Sequence, residues 1–207
     1  MDQPFVSGSG FGDLMSLTTG GARPTSRAQE TMIAVLAIAA GLVLSAVWGA
    51  AAGSSSMALA VANLYKVPMV ILLSAVTALP VGLVVLRLTN AKLSGHALAS
   101  AFATSIFGGT LMLATLAPLV AIYYHTSAKA GIPLAVGSVF VSLATASLLF
   151  AKSVAKRLDG QRGASLMAVV ILVAVFLAAL LQFIALASPI IGLHGTALEG
   201  GFDGLRL

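Results

Sequence analysis

Histidine is the first side chain to consider for chemistry, because imidazole is a common ligand of zinc and haem. The chain has three histidines, His96, His125 and His194, on separate segments and without the spacing that a shared ligand site needs. It has no cysteine, which excludes disulfides, thiolate catalysis and cysteine-ligated metal or iron–sulfur sites. We therefore expect no metal site and no cofactor.

Carboxylates are the second possible source of chemistry, as general acids and bases, proton relays or cation ligands. All the acidic residues lie in polar segments, outside five long apolar runs: Asp2, Asp13, Glu30, Asp159, Glu199 and Asp203. The runs contain no paired carboxylates and no nucleophile next to a base. The sequence therefore predicts a protein that is not an enzyme and that does not move protons through a buried acid.

The composition explains why so few residues could do chemistry. Of the 207 residues, 59% are hydrophobic and 8% are charged, whereas soluble domains carry about 25% charged residues. A soluble domain of this size would leave much of its surface in water, and so few charges could not cover it. Aromatic residues make up only 6%, which favours closely packed transmembrane helices over a transmembrane barrel. The sequence predicts an integral membrane protein.

Each apolar run is long enough to cross a hydrocarbon core of about 30 Å as a helix of about 20 residues. The predicted fold is therefore all-α, a bundle of five transmembrane helices within residues 31–187. A flexible arm, residues 1–30, precedes the bundle, and a short polar tail, residues 188–207, follows it. The predicted spans are Met32–Ala52, Val67–Leu86, Ala97–Tyr124, Ile132–Ala151 and Ala164–Leu186.

Lysine and arginine counts in the loops predict the orientation of this bundle, because cytoplasmic loops carry the excess. Eight of the 11 lie on the side of the amino terminus, and the others, Lys66, Lys129 and Arg206, lie on the opposite side. The arm is thus predicted in the cytoplasm and the tail outside, in a membrane that we expect to be the bacterial cytoplasmic (inner) membrane. The basic residues fall between apolar runs, so they indicate topology and lipid contact rather than a nucleic-acid partner.

Lys66 is the one charged side chain in the stretch 31–86, and Pro68 follows it two residues later. We interpret Lys66 as an anchor at the start of the second span, where its stem lies along apolar surface and its ammonium reaches the interface. Tyr65 suits the headgroup region, and Pro68 suits the first turn of a helix. The alternative is a lysine that faces an internal cavity as an ion or substrate ligand.

Other large side chains of the spans also have structural interpretations. Trp48, Tyr123 and Tyr124, together with Tyr65, fall at the predicted outer interface, where aromatic residues form belts. Gln182, in the fifth span, is predicted to hydrogen-bond to a neighbouring helix rather than to a substrate.

Small residues recur at every fourth position of the first and third spans, which places them along one face of each helix. Such faces let helix backbones approach closely, within a subunit or between subunits. The predicted packing positions are Gly41, Ser45, Gly49, Gly53, Ala101, Ser105 and Gly109.

Pro80 lies in the interior of the second predicted span, and Pro118 in that of the third. Each frees a backbone carbonyl, so each is predicted to kink its helix. Broken helices can bind ions or substrates in transporters, but such a site needs a partner of opposite character, and the spans offer none.

These features together resemble the Yip (Ypt-interacting protein) family of membrane proteins, and most of all its divergent bacterial branch. Lys66 and Pro68 match the lysine and proline that open the second span there, and Ala117 and Pro118 match an Ala-Pro near the end of the third. The resemblance covers residues 31–186 and implies a non-enzymatic membrane protein that acts through helix packing and partners. The signatures of the eukaryotic members are not visible, so their roles with small GTPases and in vesicle traffic are not implied.

The sequence therefore predicts a subunit or scaffold of a larger membrane assembly, in contact with lipid and with other membrane-protein subunits or copies of itself. The alternative is a small transporter or channel formed by a homo-oligomer. A scaffold needs a long apolar surface, which the Gly and Ala faces would supply. A pore needs a polar face that is continuous across the membrane, and the candidates for it are Ser105, Thr110, Ser138, Ser142 and Thr145.

Overall fold

The computed structural model describes residues 27–89, 93–157 and 162–188, with the single positions 12 and 190. Within them the chain forms no strand and five long α-helices: α1 Arg27–Ala52, α2 Met57–Leu88, α3 Gly95–Thr126, α4 Ala128–Arg157 and α5 Arg162–Ala187. All five are long and apolar enough to cross a membrane. The prediction of an all-α, polytopic membrane protein with five spans is confirmed. Most of the predicted arm and tail lies outside the described residues.

Helix α2 begins at Met57, well before the predicted start of the second span. Ser56 caps it, because its hydroxyl oxygen accepts a hydrogen bond from the Leu59 backbone N–H at 3.2 Å. Pro68 therefore lies inside the helix, and the prediction that it occupies the first turn is wrong. The serines at 54–56 mark the helix start more strongly than the proline does, since a hydroxyl can satisfy the first backbone amides.

Helices α2 and α3 are the longest, with 32 residues each. At 1.5 Å per residue such a helix measures about 48 Å, which exceeds a hydrocarbon core of about 30 Å. Both helices therefore extend beyond the apolar layer. Lys66 lies about 14 Å from the start of α2, and its role as an interface anchor stays a prediction.

The helices pack up and down, but the closest neighbours are not always consecutive in sequence. Helix α1 packs most extensively against α3 and then against α2, while α3 packs against α4 and α2 against α5. The successive pairs α2–α3 and α4–α5 touch only slightly. Three phenylalanines join α3, α4 and α5, since the ring of Phe102 lies edge-on to Phe150 and to Phe176 at centroid distances of 5.6 and 5.4 Å.

The two ends of the bundle differ in charge. The end that contains the first residues of α1, α3 and α5 is called the basic end below, because it carries Arg87, Lys152, Lys156 and Arg157. There the Arg157 guanidinium of α4 binds the Glu30 carboxylate of α1 at 3.0 Å. The opposite end contains the connection 53–56 between α1 and α2, and the single residue Ser127 between α3 and α4.

Candidate functional site

The predicted packing positions of α1 lie inside the bundle, where they allow its helices to approach closely. A Cβ atom at Gly41 would lie 3.1 Å from the Thr110 hydroxyl oxygen of α3. A Cβ atom at Gly49 would lie 2.5 Å from the backbone oxygen of Asn63 in α2, and one at Gly53 would lie 2.8 Å from the α2 backbone. The line of small residues thus packs against α3 in the first half of α1 and against α2 in the second half.

The corresponding positions of α3 pack within the same bundle. A Cβ atom at Gly109 would lie 2.9 Å from the Cβ atom of Ala146 in α4. The Ser142 hydroxyl of α4 donates a hydrogen bond to the Gly109 carbonyl at 2.7 Å. Ala101 and Ser105 are buried on the same helix. Neither line of small residues is therefore open to a partner helix, because both are occupied within one subunit.

The interior hydroxyls that could have lined a pore form hydrogen bonds within the protein. Four of them are buried, and each donates to a backbone carbonyl one turn earlier in its own helix: Ser45, Ser105, Thr110 and Ser138. Ser142 bonds to α3, as described above, and Thr145 donates to the Val141 carbonyl at 2.8 Å. Because these hydroxyls are bonded and most are buried, they form no open polar path through the part of the chain that the structure describes.

Asn63 is a buried polar side chain that sequence reasoning did not single out. Its exposed fraction is 0%, and its Nδ2 donates a hydrogen bond to the Ile190 carbonyl at 2.6 Å. This bond ties a position beyond the end of α5 to α2. The Asn63 Oδ1 is buried without a hydrogen-bond partner in the described part of the chain. The signal that could have found it is an asparagine inside an apolar run, near two glycines that leave room for it.

Trp48 differs from its prediction as an interfacial belt residue. Its side chain is only 3% exposed, and its Nε1 donates a hydrogen bond to the Ser138 hydroxyl oxygen of α4 at 2.9 Å. The indole N–H has its acceptor inside the bundle, so the ring packs against other helices rather than on the outer surface. Tyr65 and Tyr123 are exposed, while Tyr124 is half-buried and its hydroxyl lacks a partner among the described residues.

Gln182 lies on the outer surface of α5, and its predicted contact with a neighbouring helix stays a prediction. It forms no bond to a neighbouring helix within residues 27–89, 93–157 and 162–188. Leu181 and Leu186 beside it are each 67% exposed, so the amide lies on an apolar face. The exposed threonines of the other helices, in contrast, all donate to carbonyls of their own helices: Thr31, Thr77, Thr115 and Thr126.

The prolines lie within helices that continue through them. Pro80 lies in α2 and Pro118 in α3, as predicted. Pro68 and Pro133 are also inside helices, α2 and α4 respectively. A kink at Pro80 or Pro118 stays a prediction.

No group of three His, Cys, Asp or Glu side chains that could hold a metal lies in the described part of the chain. His96 and His125 lie at opposite ends of α3, which is too long for them to share a ligand. His194 lies outside the described residues. Lys66 is half-buried on α2.

These features define a five-helix integral membrane protein with a closed interior, in which the small-residue faces are occupied. No family model, no curated protein and no solved structure matches the chain. The resemblance to the Yip family stays a prediction.

Proposed function

We propose that this protein is a non-enzymatic membrane subunit or scaffold, and that the outer face of α5 binds another membrane-protein subunit or a further copy of the chain. The observation that carries this proposal is the exposed amide of Gln182. It lies among exposed leucines and has no hydrogen-bond partner within the described residues. An amide that faces lipid lacks partners, and a polar side chain of an adjacent helix can supply them.

The distribution of buried residues also supports the outer face of α5 as a binding surface. In the most apolar stretches of α4 and α5 only 22% of the positions are buried, compared with 50% in α3. The small-residue faces of α1 and α3, which the sequence indicated as possible surfaces for a partner, are already packed against other helices of the bundle. A partner helix therefore has the outer faces of α4 and α5 available to it, and these are the faces that the rest of the chain covers least.

The alternative, a channel or transporter formed by a homo-oligomer, has less support. Its pore would need a continuous polar face on the outside of the subunit. The exposed threonines and Gln182 are instead scattered over four helices, and the threonine hydroxyls are already bonded within their own helices. The hydroxyls that were candidates for a pore are bonded as well: Ser105, Thr110, Ser138, Ser142 and Thr145.

We also propose that the basic end faces the cytoplasm of a bacterial cell and that the chain ends outside it. The support is the set of cations at that end, since cytoplasmic loops carry the excess of lysine and arginine. The chain has no cysteine, so single cysteines can report the orientation. In intact cells, an impermeant maleimide should label Ser55→Cys and leave Lys152→Cys unlabelled, because both positions are exposed at opposite ends. The reverse pattern would contradict the proposed orientation.

The subunit proposal is tested by purifying the full chain from its own cells in a mild detergent and identifying by mass what accompanies it. We expect a stoichiometric partner or a homo-oligomer. Gln182→Leu should reduce the recovered complex about tenfold, as loss of an interhelical amide bond of roughly 1–2 kcal/mol predicts. Thr77→Val is the matched control, because its hydroxyl is exposed but bonded to the Leu73 carbonyl.

Three outcomes would count against the subunit proposal. A chain that elutes alone as a monomer would contradict it, and so would equal losses for Gln182→Leu and Thr77→Val. Flux of ions or small solutes through liposomes that carry a purified homo-oligomer would instead favour the channel or transporter.

A further inference from the structure

A cleft of about 850 Å³ opens between the end of α2 and the start of α3, at the basic end. Its walls are mostly aliphatic, and its polar groups are gathered at one end. The α2 side consists of Leu79, Leu83, Val84, Leu86 and Arg87, and the α3 side consists of Leu93, Ser94, Gly95, His96 and Ala99. The volume lies within the range of about 300–1,000 Å³ that small-molecule sites occupy.

The cleft exists because α2 and α3 pack against other helices. Although they are consecutive in sequence, they touch only slightly, since α2 packs on α5 and α1 while α3 packs on α1 and α4. At Gly82 of α2 a Cβ atom would collide with Leu172 of α5, and it would also lie 3.2 Å from the Leu98 side chain of α3. Leu83 and Val84 are exposed on the side of α2 that borders the cleft. In a membrane, an opening between two spanning helices faces the lipid.

The mouth of the cleft carries the guanidinium of Arg87 and the imidazole of His96. Arg87 lies in the last turn of α2 and His96 in the first turn of α3, and both side chains are exposed. The Ser94 hydroxyl oxygen caps α3 by accepting from the Ala97 N–H at 3.1 Å.

No acidic side chain compensates these groups in the described part of the chain. Glu30 is the one acid there, and it is paired with Arg157 at 3.0 Å. The mouth therefore complements a negative charge, while the walls complement a hydrocarbon chain. The walls reach from Arg87 to Leu79, which is about 12 Å along the helix. One leaflet of the hydrocarbon core measures about 15 Å.

We propose that this cleft binds an anionic phospholipid of the surrounding bilayer. The phosphate of its headgroup contacts the side chains of Arg87 and His96. One acyl chain lies between α2 and α3, against Leu83 and Ala99. This site is independent of the Gln182 face, so it extends beyond the proposed subunit role.

The first experiment measures lipid retention by the purified full chain, by native mass spectrometry with dioleoyl phosphatidylglycerol and dioleoyl phosphatidylcholine. The wild type should retain phosphatidylglycerol more tightly. Arg87→Gln should weaken phosphatidylglycerol binding about fivefold, the factor expected for one cation near a membrane surface, and leave phosphatidylcholine unchanged. Lys152→Gln is the matched control, because it removes the same charge at the same end of the bundle but away from the cleft. Arg87→Lys should restore most of the binding.

The second experiment fills the apolar part of the cleft. Ala99→Phe should lower retention of both lipids, whereas Ala39→Phe, on the exposed face of α1, should not. Competition by glycerol phosphate, which has the headgroup charge but no chains, should be far weaker than competition by phosphatidylglycerol. Each variant is checked for monodisperse elution before lipid is added.

Several results would overturn the lipid site. One is equal retention of the two lipids by the wild type. Others are the same loss for Arg87→Gln and Lys152→Gln, which would indicate general surface charge, and competition by glycerol phosphate as strong as that by the whole lipid. Gln182→Leu should leave lipid retention unchanged, so failure of the subunit proposal and failure of the lipid site remain distinguishable.

Discussion

The two ends of α2 meet their neighbours in opposite ways. Near its start, α2 lies so close to α1 that a methyl group at Gly49 or Gly53 would come within 2.8 Å of its backbone. Near its end, α2 leaves a cleft of about 850 Å³ beside α3. Gly82, in the second half of α2, lies against Leu172 of α5 and near Leu98 of α3. Glycines therefore bring helices together at individual crossings, and one helix can be tightly packed at one end and open at the other.

The largest loss of stability is expected where α1 lies close to the start of α2. Gly49→Leu should lower the free energy of unfolding by about 3 kcal/mol, because the new side chain meets backbone atoms of α2 that cannot move aside. Thermal unfolding in detergent and the yield of monodisperse protein measure it. Gly137→Leu is the control, since no atom lies within 4 Å of a Cβ placed there. Equal losses for the two variants would contradict the inference that close contact with α2 makes Gly49 intolerant of a side chain.

A smaller effect is expected for Asn63→Ala, which removes the hydrogen bond to the Ile190 carbonyl. Interhelical polar bonds in membranes contribute roughly 1–2 kcal/mol in model peptides, and part of that would be offset because the variant also removes the unpartnered Oδ1. We expect a loss of about 1 kcal/mol in the free energy of unfolding. The measurement is the unfolding midpoint in detergent and denaturant. No change would indicate that close packing alone holds this end together.

The smallest change in stability is expected beside the cleft, between the end of α2 and the start of α3. Gly95→Ala should change the free energy of unfolding by less than about 0.5 kcal/mol, because its Cβ would meet only the flexible end of Leu83 at 3.0 Å. Gly53→Ala, where the same methyl meets the α2 backbone at 2.8 Å, should cost more. Both variants add one methyl group, so measuring them side by side compares the packing near the start of α2 with the packing near its end. A larger loss for Gly95→Ala than for Gly53→Ala would contradict the description of loose packing between the end of α2 and the start of α3.

The number of spans and the packing role of the glycines could be predicted because both depend on strong local signals. Apolar run length sets the number of spans. Glycines at every fourth position indicate close approach, although the sequence does not tell which helix approaches. Gly41 and Gly49 belong to one line but contact different helices, α3 and α2.

The faces of the helices could not be predicted, and Trp48 and Gln182 show why. In a soluble protein, polar residues mark the outside of a helix. In these helices almost every face is apolar, so hydropathy does not distinguish lipid-facing from protein-facing positions. Trp48 is buried because Ser138 offers its N–H an acceptor inside the bundle. Gln182 is exposed on α5, where no described side chain reaches it. Such pairings depend on distant parts of the chain.

The brevity of the connections at the end opposite the basic one has a consequence for biogenesis. Only residues 53–56 join α1 to α2, and Ser127 alone separates α3 from α4. With the orientation proposed above, each pair can enter the bilayer as a helical hairpin that carries very little polar chain across and leaves most of the cationic residues on the cytoplasmic side. Insertion of the protein is then expected to need two hairpins and one final helix, rather than five separate translocation events.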